Sequence, residues 1–331
     1  MAALVILSPQ SFAQASPAKA TKPAPGSSFT LTAIKVTGSI RYTQEEIIAA
    51  SGLQVGKTVS EEDFKLASQR LGESGAFGDV GYRFQYSPSG ATLDLQLTDN
   101  TEFVPVRFDN LVWFSDQELA DKLRERVPLY RGQLPLNGEM ADQVSDALQA
   151  LLIERQIPGR ADYLRSGALN GPIEAFVFSV SGPNIRIRNI AFEEAAPAEA
   201  GLLKRAADKL KGSEYTRSLL EAQARMNFRP IYLERGYLKA AFSEAQAKVA
   251  QQDADKILVD VALTVNPGHQ YNFTTLEWSG LSVFSAEQLE QLLHLERGKP
   301  ANAIQLGTDL TAVQKVYGTR GYMATHITPV P

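Results

Sequence analysis

Four segments of the chain share a spaced pattern of apolar positions that ends on a turn residue. In the first and fourth copies the offsets are identical, and the positions are Phe29, Leu31, Ile34, Val36 and Gly38, and Tyr271, Phe273, Leu276, Trp278 and Gly280. Two weaker copies begin at Thr101 and Ile185, with Asn110 and Glu194 at the turn position. Because the copies recur at intervals the length of a small domain, the pattern predicts a tandem array.

Each copy begins a longer run in which the hydrophobic spacing changes from strand to helix and back to strand. In the first copy the strand ends at Gly38, and a one-residue slip between Leu31 and Ile34 predicts a β-bulge. A short helix is expected from Thr43, because glutamate three residues after a threonine is typical of a helix start.

A second helix and two strands complete the first copy. Phe64, Ala67 and Leu71 recur at helical spacing, whereas the segments Val80 to Tyr86 and Leu93 to Leu97 alternate as strands do. The order β-α-α-β-β predicts an α+β fold, in which each domain has a three-stranded mixed sheet with two helices on one face. The last strand is the most apolar and is expected at the centre. The second strand then lies at an edge with unpaired backbone groups.

Glycines mark corresponding turns in several copies. They follow the first strand, separate the two helices or end the second helix, and their positions are Gly38, Gly56, Gly75, Gly236, Gly280, Gly298 and Gly321. The second copy has Gln156 where the glycine after the second helix is expected, so its second strand is predicted to be poorly defined. The third copy has Glu194 in place of the glycine after the first strand.

The repeats divide most of the chain into four predicted domains. Their expected ranges are residues 29–100, 101–183, 184–268 and 269–331, and the fourth is expected to be incomplete because too few residues remain for its third strand. Residues 1–15 indicate an export signal without the usual basic start, because a short apolar stretch precedes the small residues Ala13 and Ala15. Residues 16–28 are rich in proline and alanine and are expected to form a disordered leader.

Composition argues against several classes of function. The chain has 331 residues, of which 44% are hydrophobic and 21% charged, and a net charge of −4 provides no basic surface for nucleic acid. It contains no cysteine, and the three histidines, His269, His294 and His326, lie far apart. No metal, cofactor or catalytic group is therefore expected, and the chain is predicted not to be an enzyme.

These features resemble POTRA domains, the polypeptide-transport-associated repeats of the outer-membrane protein assembly (BamA-like) and two-partner secretion superfamily. The resemblance covers residues 29–331 and rests on the strand that ends in glycine, the Gly-Lys pairs at Gly56 and Gly298, and the glycine followed by an aromatic residue after the second helix. It implies a location in the periplasm, at the inner face of the outer membrane of a Gram-negative bacterium. It also implies attachment to that membrane through a C-terminal β-barrel that these residues do not include.

The resemblance further implies a docking and chaperone module. The expected partners are unfolded outer-membrane proteins together with accessory assembly lipoproteins or periplasmic chaperones. Clients would bind by adding a strand to a sheet edge. The expected contact strands are Val80 to Tyr86 and Lys239 to Ala245, and the residues singled out in them are Val80, Tyr82, Phe84, Tyr86, Lys239, Ala241 and Ser243.

Three alternatives stay open at this point. The chain could be the periplasmic arm of a two-partner-secretion-type transporter that receives one dedicated protein. It could be a structural spacer that binds no client. It could also be an enzyme with an unfamiliar site, although it lacks clustered histidine, acidic or nucleophilic residues.

Overall fold

The computed structural model describes residues 28–253 and 255–329. The expected export signal and nearly all of the expected leader lie outside these residues. The chain divides into two compact units. The first contains residues up to 103 together with 127–130 and 135–140, and the second contains 104–126, 131–134 and the residues from 141 onward.

The first domain has one sheet with the predicted arrangement of strands. Its elements in chain order are β1 (Phe29–Thr37), α1 (Gln44–Ser51), β2 (Thr58–Val59), α2 (Glu61–Glu73), β3 (Phe77–Ser87) and β4 (Gly90–Asp99). The strand order β2-β1-β4-β3 places β4 between a parallel and an antiparallel neighbour, which confirms the predicted central position. The short strand β2 is an addition that the sequence analysis missed. It pairs with Phe29 and Thr30 at the start of β1.

Local sequence signals account for the ends and the irregularity of these elements. The register of β1 shifts between Leu31 and Ala33, which confirms the predicted bulge. Thr43 and Ser60 each form a capping box, so both helices begin where their first free N–H groups receive side-chain partners. After β1 the chain turns at Gly38, whose φ is +93°. A Cβ atom there would lie 2.0 Å from the carbonyl oxygen of Leu97, so this turn requires glycine.

The second domain repeats this order of elements. They are β5 (Phe103–Phe108), α3 (Asp116–Arg126), β6 (Gln133–Pro135), α4 (Met140–Glu154), β7 (Arg160–Gly167) and β8 (Ile173–Ser181), with strand order β6-β5-β8-β7. The prediction that the second strand of this domain would be poorly defined is wrong, because β7 pairs with β8 along its whole length. Gln156 adopts the left-handed φ of 55° that glycine was expected to supply. The N–H of Ile157 then bonds the carbonyl of Leu152 at 2.9 Å, which ends the helix.

The third domain contains the strand with the strongest apolar alternation. Its elements are β9 (Ile185–Glu193), α5 (Pro197–Asp208), α6 (Arg217–Gln223), a π-helical turn (Ala224–Phe228), α7 (Arg229–Leu233), β10 (Ala241–Phe242), β11 (Gln246–Gln252) and β12 (Ile257–Asn266). β12 pairs in parallel with β9 and antiparallel with β10 and β11. Glu194 takes the turn position with a φ of 60°. The π-helical turn precedes Pro230, whose ring clashes with the carbonyl four residues earlier in a regular helix.

In the fourth domain the structure describes two helices and a small core. The helices are α8 (Ala286–Glu290) and α9 (Ala303–Thr319), and Leu289, Val313 and Tyr317 are buried between them and the preceding segment. Residues 271–278 carry the strand pattern, yet among the described residues their strand pairing is limited to an isolated bridge between Asn272 and Pro300. Near the start of this segment, the Gly298 N–H donates to the Phe273 carbonyl at 2.8 Å. The corresponding bond of the first domain joins the Gly56 N–H to the Leu31 carbonyl at 2.7 Å.

Candidate functional site

The predicted contact strand of the first domain carries a row of half-buried side chains. Val80, Tyr82, Phe84 and Tyr86 occupy alternate positions of β3 and lie on one face of the sheet. The Phe84 ring lies 5.4 Å from that of Phe64, a fully buried residue of α2, so this face is the one that the helices cover. The ring centroids of Phe84 and its neighbours Tyr82 and Tyr86 are 6.3 and 5.1 Å apart. The row is therefore a continuous aromatic surface beside the helix.

The backbone groups of the same residues point away from the sheet. On the other side of β4, Thr37 Oγ1 donates to the Leu95 carbonyl at 3.2 Å, so this carbonyl faces β1. Thr32 Oγ1 donates in the same way to the carbonyl of Ala91 at 2.9 Å. A strand residue directs its N–H and C=O to the same side, so Leu95 forms no backbone bonds with its β3 partner Tyr82. The free N–H and C=O of Tyr82 therefore point outward, and alternation gives Val80, Phe84 and Tyr86 the same orientation.

Between them, Gly81, Arg83 and Gln85 turn their backbone groups toward β4. Arg83 lies opposite Asp94 of β4. Its side chain is exposed, whereas its backbone groups face β4. Within residues 28–253 and 255–329, no strand other than β4 pairs with β3. One set of residues thus offers both an unpaired backbone edge and the half-buried side chains next to it. These are the two features that strand addition uses.

The Tyr86 phenol of the aromatic row stays uncharged at neutral pH. Burial raises the pKa of the Tyr86 phenol, and the negative charge of Glu61 at the start of α2 raises it further. Both effects oppose ionisation, so the phenol is a neutral donor or acceptor beside the open edge.

The second predicted contact strand is placed differently by the structure. Lys239 lies in a turn, Ala241 lies in the two-residue strand β10, and Ser243 lies outside any strand. Ser243 is tied to Thr264 of β12 by two bonds of 2.9 Å, one in which its N–H donates and one in which its Oγ accepts. The predicted bounds Lys239 to Ala245 were therefore wrong, because only Ala241 and Phe242 pair with β12 there, and the same edge continues as β11. The error arose because Ser243 interrupts the ladder, which alternation alone does not reveal.

The edge strand of the third domain lies beside residues of the second domain in the same compact unit. Val112 and Trp113 pack against the third-domain core, as does Ala247 of β11. A cavity of about 270 Å³ is lined by residues 246–249 and by residues 111–116 of the second domain. Strand addition at β11 would therefore have to displace or accommodate these neighbours.

The seven predicted turn glycines share one backbone conformation. All have positive φ, with values from 73° at Gly280 to 93° at Gly38, and the others are Gly56, Gly75, Gly236, Gly298 and Gly321. They mark the corners of the elements and are not themselves in the aromatic row.

Sequence comparison connects part of the chain with a curated protein. Over 98 residues it is 32% identical to a protein of Treponema pallidum (strain Nichols) that bears the provisional name outer membrane protein assembly factor. The match covers 29% of this chain and 12% of that protein. No protein-family model matches the chain.

Structure comparison finds solved POTRA structures at low sequence identity. One is the POTRA1-3 region of the periplasmic domain of Omp85 from Anabaena, with 14% identity, a TM-score of 0.23 and coverage of 72% of this chain and 96% of that one. Another is POTRA3-5 of BamA from Haemophilus influenzae, with 13% identity, a TM-score of 0.24 and coverage of 74% and 99%.

In the described part of the chain, no helix has both the length and the apolar character needed to cross a membrane. The structure itself shows the repeated β-α-α-β-β order, the central last strand and the shared turn positions. Together with the matching stretch of the Treponema pallidum protein, they lead to one conclusion. The chain is a tandem array of β-α-α-β-β domains, similar over 98 residues to a protein provisionally named as an outer membrane protein assembly factor.

Proposed function

We propose that this chain is a periplasmic docking and chaperone module that receives unfolded outer-membrane proteins by strand addition at β3. The observation that carries the proposal is the coincidence of two properties in Val80, Tyr82, Phe84 and Tyr86. Their backbone groups point outward from the sheet, and their side chains form a half-buried row beside α2.

Backbone pairing suits a receptor for many clients. An added strand gains main-chain hydrogen bonds whatever its side chains are, and each bond contributes about 1 kcal/mol net. Its alternate side chains would lie over the aromatic row, and outer-membrane strands alternate apolar and polar residues. The proposed site therefore favours extended segments with this alternation and has little preference for an individual sequence.

The location and the partners belong to the same proposal. The partial similarity to an outer membrane protein assembly factor supports a place in the periplasm at the inner face of the outer membrane. Accessory assembly lipoproteins or periplasmic chaperones would contact other surfaces of the array. Attachment to the membrane would come from a β-barrel, as the resemblance implies.

A pair of substitutions at one position tests strand addition. Tyr82→Ala removes the ring and keeps the N–H, whereas Tyr82→Pro removes the outward N–H as well. The probe is a synthetic peptide of about ten residues, the length of a membrane-spanning strand, with alternating tyrosine and threonine. We expect the proline variant to bind it about fivefold more weakly than the alanine variant, since one backbone bond is lost.

The thermal unfolding midpoints of the two variants serve as the control for folding. Tyr82 is chosen for the proline substitution because its N–H points outward. A proline at Arg83 would instead remove an N–H that faces β4 within the sheet. Equal affinity of two folded variants would contradict strand addition at β3. Absence of any binding, even by the unaltered chain, would favour the spacer, and binding of one dedicated exported protein alone would favour the secretion arm.

A further inference from the structure

The edge of the second domain is closed by side chains of its own helix. Gln149 of α4 accepts the N–H of Ala161 at 2.9 Å through its amide oxygen and donates to the Gly159 carbonyl at 3.2 Å. Ser145, one turn earlier, donates to the Ala161 carbonyl at 3.3 Å. Both backbone groups of Ala161 thus have partners on the helix.

Ala161 occupies the same place in its sheet as the outward-facing residues of β3. Its partner in β8 is Val180. The N–H and C=O of Val180 bond the side chain of Asn110 at 2.8 and 2.9 Å, on the opposite side of β8. Val180 therefore has no backbone bond with Ala161, whose own groups face the outer edge. The Gln149 amide lies where the backbone of an added strand would lie.

The cap extends to the next outward-facing residue of β7. The N–H of Tyr163 donates to the Asp162 carboxylate at 2.8 Å, and its phenol donates to Asp142 of α4 at 2.9 Å. Burial raises the pKa of this phenol, and the bond to Asp142 raises it further, so the phenol remains a donor at neutral pH. Strand addition at β7 would have to break these contacts as well as those of Gln149.

The first domain has a glutamine on the corresponding helix, but it points elsewhere. Gln69 of α2 donates to Glu73 on its own helix at 2.6 Å. Within the described part of the chain, no side chain accepts a hydrogen bond from the outward N–H groups of residues 80–86 of β3. The two domains share a fold and differ in whether the edge is occupied.

We infer that Gln149 is a built-in cap that closes the second domain to added strands, so that an extended client segment enters at β3 and not at β7. This inference rests on the proposed function. It assigns to Gln149 the choice of the sheet edge at which an extended client segment can bind. A primary amide presents an acceptor and a donor side by side, as a peptide group does, and so it satisfies an edge without supplying a neighbour for further pairing.

The test compares the full chain with its Gln149→Met variant, which keeps the length of the side chain and removes both polar groups. Gln69→Met on α2 is the matched control. Hydrogen exchange of the Ala161 amide without any peptide measures the cap alone, and we expect about fivefold faster exchange in Gln149→Met. Broadening of amide resonances by the spin-labelled alternating peptide then shows which strand it occupies.

We expect the peptide to broaden Tyr82 and Phe84 in every protein, and Tyr163 and Arg165 only in Gln149→Met. Broadening of β7 in the unaltered chain, or its absence in the variant while β3 still responds, would overturn the cap and leave the proposed function standing. Unchanged exchange at Ala161 would also overturn the cap. No broadening of either strand in any protein would overturn the proposed function, and with it the selection among edges.

Discussion

The carboxylate of Asp109 accepts a hydrogen bond from the backbone N–H of Ser218 at 2.7 Å. Asp109 follows β5 of the second domain, and Ser218 lies in the first turn of α6 in the third, within the same compact unit. The Asp109 carbonyl accepts the N–H of Arg217 at 2.9 Å, and the Arg217 side chain bonds Asp116 at 2.7 Å. Burial raises the pKa of the adjacent Tyr215 to about 12, so the junction holds a neutral phenol between charged partners. One domain thus completes the cap of a helix in the next.

The first prediction concerns this junction. Asp109→Ala removes an acceptor from a helix start, and loss of such a cap costs about 1 kcal/mol of unfolding free energy. Denaturant unfolding should show this loss, and the amide of Ser218 should exchange faster. Asp121→Ala is the control, because the Asp121 carboxylate bonds Gln117 and Arg124 on its own helix. Equal effects of the two changes would contradict a special role for Asp109.

Substitution by alanine at two glycines of the first domain should change the stability of the fold in opposite directions. At Gly38 the positive φ and the Leu97 carbonyl at 2.0 Å leave no room for a Cβ, so Gly38→Ala should destabilise by at least about 2 kcal/mol. Gly72 lies within α2 with no atom within 4 Å of the added Cβ. There the change to alanine should stabilise by about 0.5–1 kcal/mol. Thermal unfolding of both variants measures the difference, and a shift in the same direction would refute the turn argument.

The stability of the fourth domain should fall in acid because of Asp309. Burial alone would raise the pKa of this carboxyl, but hydrogen bonds from the His294 N–H, the His294 ring and Gln305 bring it below its ordinary value. A carboxylate with a lowered folded-state pKa stabilises the fold above the unfolded pKa of about 3.9, and that stability is lost as the pH falls through the folded value.

Asp309→Asn should therefore destabilise the fourth domain at neutral pH and flatten its acid dependence. Fluorescence of Trp278, which packs against this core, can follow the unfolding as a function of pH. Asp255→Asn, at an exposed position of the third domain, should leave the profile unchanged. A profile that keeps its full slope in Asp309→Asn would show that another group controls it.

The fourth domain should also open before the third. In the described residues its core is the small cluster of Leu289, Val313 and Tyr317 with partly buried neighbours, whereas the third domain buries a full three-strand ladder under its helices. Amide exchange should be faster across residues 271–322 than across 185–266, since local opening is easiest where few apolar contacts are lost. Equal protection of the two regions would contradict this order.

Interactions between residues that are close in sequence allowed much of the fold to be predicted. The bulge near Leu31, the cap at Thr43 and the central position of β4 depend on alternation, on spacing of three or four residues and on apolar content. These properties depend on residues that are close in sequence, so they can be recognised without the rest of the chain. The row from Val80 to Tyr86 was identified for the same reason, because period-two alternation already specifies its shared face.

Other features depend on contacts between residues that are far apart in the sequence. Gln156 adopts the left-handed conformation between α4 and β7, and Glu194 adopts it between β9 and α5. No local rule places these residue types at such turns. The occupied edge of β7 depends on Gln149 and Ala161, which lie on different elements. Alternation predicts that an edge strand exists, but whether its N–H groups are free depends on which side chain the packing of a helix brings within about 3 Å of them.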